Sequence, residues 1–232
     1  MHERHASRLD GRGYPGPLDA GLSGTGLVAD DLYLMAHGDR TGRPRLQPRP
    51  LGIGLAGALL AELMLAGWIG LRRDGAVVIM PGVAQDTVMR HALMKQIADE
   101  PGPQLVQAWL RFLARDAARD VALRLEQAGY LEHVRSWVPG RQGRWVPVNP
   151  DWAFAPMPRV RSALDPGRAV TPYGAALAGL AVACGLRFLL DQYQTHGGRT
   201  VEDAVAAVGP GLQELISQTQ MAVDSAVLSH RM

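Results

Sequence analysis

The stretch LGIGLAGALLAELMLAGWIGL, residues 51 to 71, constrains this chain more than any other, because it carries a single charge, Glu62. Three structures can absorb such a run. It can cross a membrane; it can form a nucleotide loop, since Gly52-Ile53-Gly54-Leu55-Ala56-Gly57 spells G-x-G-x-x-G; or it can be a core helix. A span needs about 20 apolar residues to cross about 30 Å of hydrocarbon. Gly67 stands where a glycine closes a helix, which leaves roughly 16 residues, or about 24 Å. Glu62 near the middle would also be costly in lipid. A dinucleotide loop needs a strand before its glycines, and Pro48 and Pro50 exclude a central strand there. The run is therefore read as a helix apolar all round, and so buried. Leu51, Leu55, Leu59 and Leu63 form one i,i+4 row, while the glycines and alanines let neighbouring helices approach closely. A buried Glu62 then needs a partner, which sequence does not reveal.

The rest of the composition allows a packed core without naming a partner. Apolar residues make up 47% of 232, enough for one domain. The formal net charge of +2 and pI near 9.0 do not demand nucleic acid or a membrane. Lys95 is the only lysine, so the positive charge sits on arginine. Guanidinium forks suit phosphate and carboxylate, although GC-rich coding produces the same bias. Cys184, the single cysteine, lies in an apolar run and reads as a small core residue. The N-terminal MHERHASRLDGRGYPGP has no apolar signal-like segment. The expectation is a cytoplasmic protein with a disordered tail over residues 1–21 and one domain over 22–232.

Periodicity gives a mainly α chain: a single compact helical domain with short β-hairpins, one of them projecting. Leu27, Val28 and Leu32 to Met35 have helical spacing. Asp30 and Asp31 fall early in that helix, as complements to its dipole on a solvated face. A loop with four arginines and three prolines, GDRTGRPRLQPRP, precedes the long apolar helix. Apolar runs on either side of Arg72-Arg73-Asp74-Gly75 predict a hairpin. Further helices are expected from an Asp86 N-cap to about Ala98, over about 104–114, over about 116–128 and over about 172–190, with two more after Gly197-Gly198. A second hairpin is expected around Pro139-Gly140-Arg141-Gln142-Gly143.

No H-E-x-x-H, C-x-x-C, P-loop or G-x-S-x-G motif occurs, and the seven histidines form no metal-ligand constellation. His91 reads as a helix-surface residue. No catalytic group, metal or cofactor is expected. Arg115 and Arg119 are spaced i,i+4 and would share a helix face. They serve either as an anion site or as members of surface pairs, with Asp116 reaching Arg119 and Asp120 reaching Arg124.

Five stretches, taken in order, resemble the Golgi phosphoprotein 3 family and its bacterial relatives. They are Leu27-Val28-Ala29-Asp30-Asp31-Leu32 with Thr41-Gly42-Arg43; Gly54 to Leu63; Gln85-Asp86 with Ala92-Leu93; Leu123 to Leu131; and Ala175 to Leu186. The segment Met221 to Leu228 is also similar. The resemblance implies a helical, non-enzymatic domain with a projecting apolar hairpin. It also implies a shallow basic cup for phosphatidylinositol 4-phosphate, built from a tryptophan and arginines, and a part in retaining glycosyltransferases. In this chain the family's cup positions fall on Gln47, Ala56, Arg115 and Ala118, with Arg119 next to the last.

The leading expectation is thus a peripheral module for anionic lipid headgroups, using Arg43, Arg45, Arg49, Arg115 and Arg119. The hairpin over 134–148 would contact membrane or partner through Trp137, Arg141, Arg144 and Trp145, and would carry homo-oligomer contacts. Two alternatives stand beside it. One is a winged-helix nucleic-acid binder, because helix, glycine turn and hairpin recur at 51–79 and 116–148. Its first candidate recognition helix, however, has no basic residue to reach bases or phosphates. The other is a scaffold for the tails of client proteins.

Overall fold

The computed structural model describes residues 25–135, 143–191 and 198–229. The tail over 1–21, together with Trp137 and Arg141 of the second hairpin, lies outside the described residues.

The long apolar run does form the central helix. Helix α1 spans Val28–Ala36 and α2 spans Pro48–Leu65. Pro48 starts α2 three residues earlier than the apolar pattern alone predicts; it sits in the first turn, where a missing N–H costs nothing. Its 18 residues and mean hydropathy of 1.2 make α2 long and apolar enough to cross a membrane, yet two-thirds of it is buried inside the protein. The helix is surrounded by α1, by α5 (Val106–Leu113), α6 (Ala117–Gln127), α8 (Pro172–Ala183) and α11 (Pro210–Leu228). Gly57 shows why the small residues are there. A Cβ on it would lie 2.6 Å from Thr219 Oγ1 on α11 and 3.1 Å from Leu180 on α8.

After Gly67 the chain enters β1 (Ile69–Leu71), which pairs antiparallel with β2 (Val77–Ile79), Ile69 opposite Ile79. The helix predicted from Asp86 to Ala98 is instead two. Helix α3 (Gln85–Arg90) has Ala84 at its N-cap position with no side-chain cap, so Asp86 is not the N-cap expected but a first-turn residue, and α4 (Ala92–Asp99) follows an N-cap at His91. The extended backbone of His91 breaks the run, and its Nδ1 accepts from the Met94 N–H. His91 is therefore a half-buried cap against Trp68, not a surface residue. The second hairpin pairs β3 (Leu131–Val134) with β4 (Arg144–Pro147), Leu131 opposite Pro147. A 3-10 turn over Pro150–Phe154 leads to α7 (Met157–Leu164). The apolar run after Thr171 gives α8 and then, past Gly185, the short α9 (Arg187–Leu190). Helix α10 (Val201–Ala206) starts at a reciprocal Thr200–Asp203 capping box. The fold is mainly α, with two small sheets among the described residues.

One core runs through these helices. Leu55, Leu60, Leu110, Leu125, Leu177 and Leu180 are fully enclosed in it. Each such side chain contributes about 1.5–3 kcal/mol through burial. Cys184 lies in the same core, and burial pushes its thiol up to about 12, so it is an inert small residue.

Candidate functional site

Two charged arrangements stand out, one sealed inside and one open. The sealed one centres on α1, all nine of whose residues are buried, Asp30 and Asp31 included. This overturns the expectation of a solvated face. A helix enclosed on every side turns both neighbours inward, and each carboxylate then requires a cation.

Asp30 accepts from Arg124 Nε at 2.8 Å and Nη2 at 2.6 Å. The same guanidinium chelates Glu62 through two hydrogen bonds of 3.1 Å. Arg124 is thus the partner that Glu62 required. It turns away from Asp120, to which local spacing assigned it, because two desolvated carboxylates attract it more than one solvated carboxylate does. Glu62 Oε1 also accepts from the Ala29 N–H at 2.8 Å, satisfying an otherwise orphaned donor in the first turn of α1. Asp31 Oδ2 accepts from Arg159 Nη1 at 2.9 Å and from the Tyr173 hydroxyl at 2.7 Å. Arg159 in turn lies over the Tyr173 ring.

Burial raises both aspartates to about 6, with the arginines opposing the shift. Burial and the Asp31 carboxylate push the Tyr173 hydroxyl well above its usual range. Asp30 Oδ2, Asp31 Oδ1 and the Tyr130 hydroxyl are buried without a hydrogen-bond partner among the described residues. On the other end of α1, burial lowers His37 to about 4 while its Nδ1 donates to the Tyr33 carbonyl at 2.7 Å. These groups lock α1, α2, α6, α7 and α8 together.

The open arrangement is a groove of about 790 Å³ between α2, α5 and α11. Arg49 projects from the first turn of α2, Arg111 from α5, and Arg115 from the turn that joins α5 to α6. No acidic residue lines it, and none of the three guanidiniums is in an ion pair among the described residues. Gln107 donates to Gln218 Oε1 at 2.6 Å and so ties α5 to α11 beside the groove. The N-terminal end of α2 adds its positive dipole near Arg49. The two helices that begin next to Arg49 and Arg115, α2 and α6, are also joined inside by the Glu62–Arg124 ion pair.

Of the five arginines expected at an anion site, Arg49 and Arg115 meet here. Arg43 does not, since its loop packs Gly42 against the Trp145 carbonyl of β4. Arg45 donates to the His37 carbonyl and faces a separate hollow near Cys184 and Asp224. Arg119 is exposed on α6 outside the groove. Arg115 and Arg119 do not share a helix, because α6 begins only at Ala117. The position expected for a cup arginine, Ala56, is fully buried, and Gln47 lines the other hollow. Sequence reasoning missed Arg111, although Gln107, Arg111 and Arg115 at successive i,i+4 steps trace the groove's basic wall. In the hairpin, Trp145 is not a free tip; its Nε1 donates to Glu126 at 2.9 Å and its ring packs on His133. Arg144 stands at the start of β4 and is exposed. Arg124 on α6 is engaged inside by Asp30 and Glu62 and is not offered at the surface as a basic residue for an anion.

Among the described residues no group of three or more His, Cys, Asp or Glu is placed to hold a metal ion. No curated protein sequence matches the chain. The family model for Golgi phosphoprotein 3 (GPP34) matches residues 28–219, which include α1, the central helix and the groove's basic wall. This chain belongs to the Golgi phosphoprotein 3 family.

Proposed function

We propose that this protein is a non-enzymatic, peripheral membrane-associated module that binds an anionic lipid headgroup in the groove between α2, α5 and α11. One observation carries the reading: Arg49, Arg111 and Arg115 converge on a groove without a carboxylate. Guanidinium forks bind phosphate oxygens two at a time, and a cluster of three favours a group with several anionic oxygens. Family membership supports the same reading, with phosphatidylinositol 4-phosphate as the lipid to test first. The basic residues differ from the cup the resemblance implies, since Arg49 and Arg111 stand in for positions now at Gln47, Ala56 and Ala118.

Liposome flotation tests the proposal, using phosphatidylcholine alone, with phosphatidylglycerol, and with phosphatidylinositol 4-phosphate. Binding to the anionic liposomes is expected, with at least a fivefold loss in Arg111→Gln/Arg115→Gln. Equal partition into all three liposomes, or unchanged binding by the variant, refutes it.

A further inference from the structure

Opposite the three arginines the groove changes character. Its other wall is α11, which presents Met221, Ala222, Ser225 and Ala226, and Ile53 of α2 lies between. Met221 is 47% exposed. Leu228, seven residues on and therefore on the same helix face, is 64% exposed. Met221 lines the groove and Leu228 continues the same face just beyond it; large exposed apolar side chains in such a row mark a surface that something apolar covers. The two walls together match a molecule that is anionic at one side and hydrocarbon at the other.

We propose that the α11 wall seats the glycerol-proximal methylenes of a phospholipid acyl chain, so that the groove takes a lipid held in a bilayer and not its headgroup alone. This rests on the anionic-headgroup reading of the same groove and adds a second binding element to it. Charge complementarity selects the phosphate for the arginine wall. The volume of about 790 Å³ exceeds what a phosphate group fills, so the lipid's first chain segments have room beside it. A peptide fits the walls less well. It brings backbone N–H donors, and on the apolar wall only Ser225 offers them a side-chain oxygen. Met221 adapts its unbranched side chain to a mobile acyl chain.

Calorimetric titration of the full chain compares glycerol 3-phosphate with monomeric dihexanoyl phosphatidic acid. Burying two methylenes strengthens binding about tenfold, so the acylated ligand should bind at least that much more tightly. Met221→Gln/Leu228→Gln should erase this increment and leave glycerol 3-phosphate binding unchanged. Arg111→Gln/Arg115→Gln should weaken both ligands alike. Both variants change exposed side chains, and matching circular dichroism and thermal midpoints would confirm their folding. Equal affinity of the wild type for the two ligands overturns the acyl seat and leaves the α11 wall to a protein segment. So does an increment that survives in Met221→Gln/Leu228→Gln. Binding of neither ligand overturns the anionic groove itself, and the acyl seat with it.

Discussion

Replacing Arg124 by methionine is the sharpest test of the interior reading. The substitution keeps most of the side-chain volume and removes the charge that holds two carboxylates. Asp30 is fully buried and Glu62 is 11% exposed, so neither recovers much water when the guanidinium goes. Removing one partner of such a buried pair costs about 3–5 kcal/mol, because the remaining charge stays desolvated. At an m-value of about 2 kcal/mol per molar, the urea midpoint at pH 7.5 should fall by roughly 2 M. The loss should also depend on pH. Burial holds the Asp30 carboxyl at about 6, against an ordinary value of 3.8, and Arg124 opposes that rise. Without Arg124 it must climb further. A carboxyl raised on folding contributes stability that is present below its unfolded value and is lost as pH rises through its folded value. Wild type and variant both hold the Asp30 proton near pH 5, so the difference between them should narrow there and widen above pH 6. Urea titrations at pH 5, 6 and 7.5 measure this. A loss below about 1 kcal/mol at pH 7.5, or a loss constant across that range, would refute the argument.

Three other outcomes follow from the same geometry. Asp31→Asn should flatten the stability profile between pH 4 and 6, because the buried Asp31 carboxyl, at about 6, favours the folded state as pH falls through that window; an unchanged slope in urea titrations contradicts this. Gly57→Ala should destabilise by about 1–3 kcal/mol through overpacking, since its Cβ would lie 2.6 Å from Thr219 Oγ1; a thermal midpoint at or above wild type refutes the close packing of α2 on α11. Trp145→Phe should cost about 0.5–1.5 kcal/mol by losing the bond to Glu126, and should increase hydrogen exchange in β3 and β4 if that bond anchors the hairpin to α6.

What could be read from sequence was what local chemistry decides. The central helix, its burial, its closure near Gly67 and both hairpins follow from apolar periodicity and turn residues within a few positions of one another. The break at His91 escaped because periodicity continues across it and only the backbone changes. The carboxylates of α1 were misplaced for a different reason. Adjacent acidic residues near a helix start normally face water, and nothing local shows that α1 is enclosed on all sides. Their partners lie 94, 128 and 142 residues away. Half of the groove was legible in Arg49 and Arg115. Arg111 was within reach as the middle of a Gln107, Arg111, Arg115 stripe, but the wall that α11 supplies depends on tertiary packing.

The distance between Asp31 and Arg159 also has a temporal meaning. On a ribosome, 128 residues separate the emergence of the acid from that of its cation. At about 5–20 residues per second, that interval is roughly 6–26 s. During it α1 carries two charges that oppose its burial, and the Ala29 N–H cap must wait for Glu62. Helix α1, made before the other described helices, is therefore among the last of them to take its place. Until Tyr173 has followed, the faces of α2 and α6 that pack on α1 in the folded domain lack the full set of contacts that hold α1 against them.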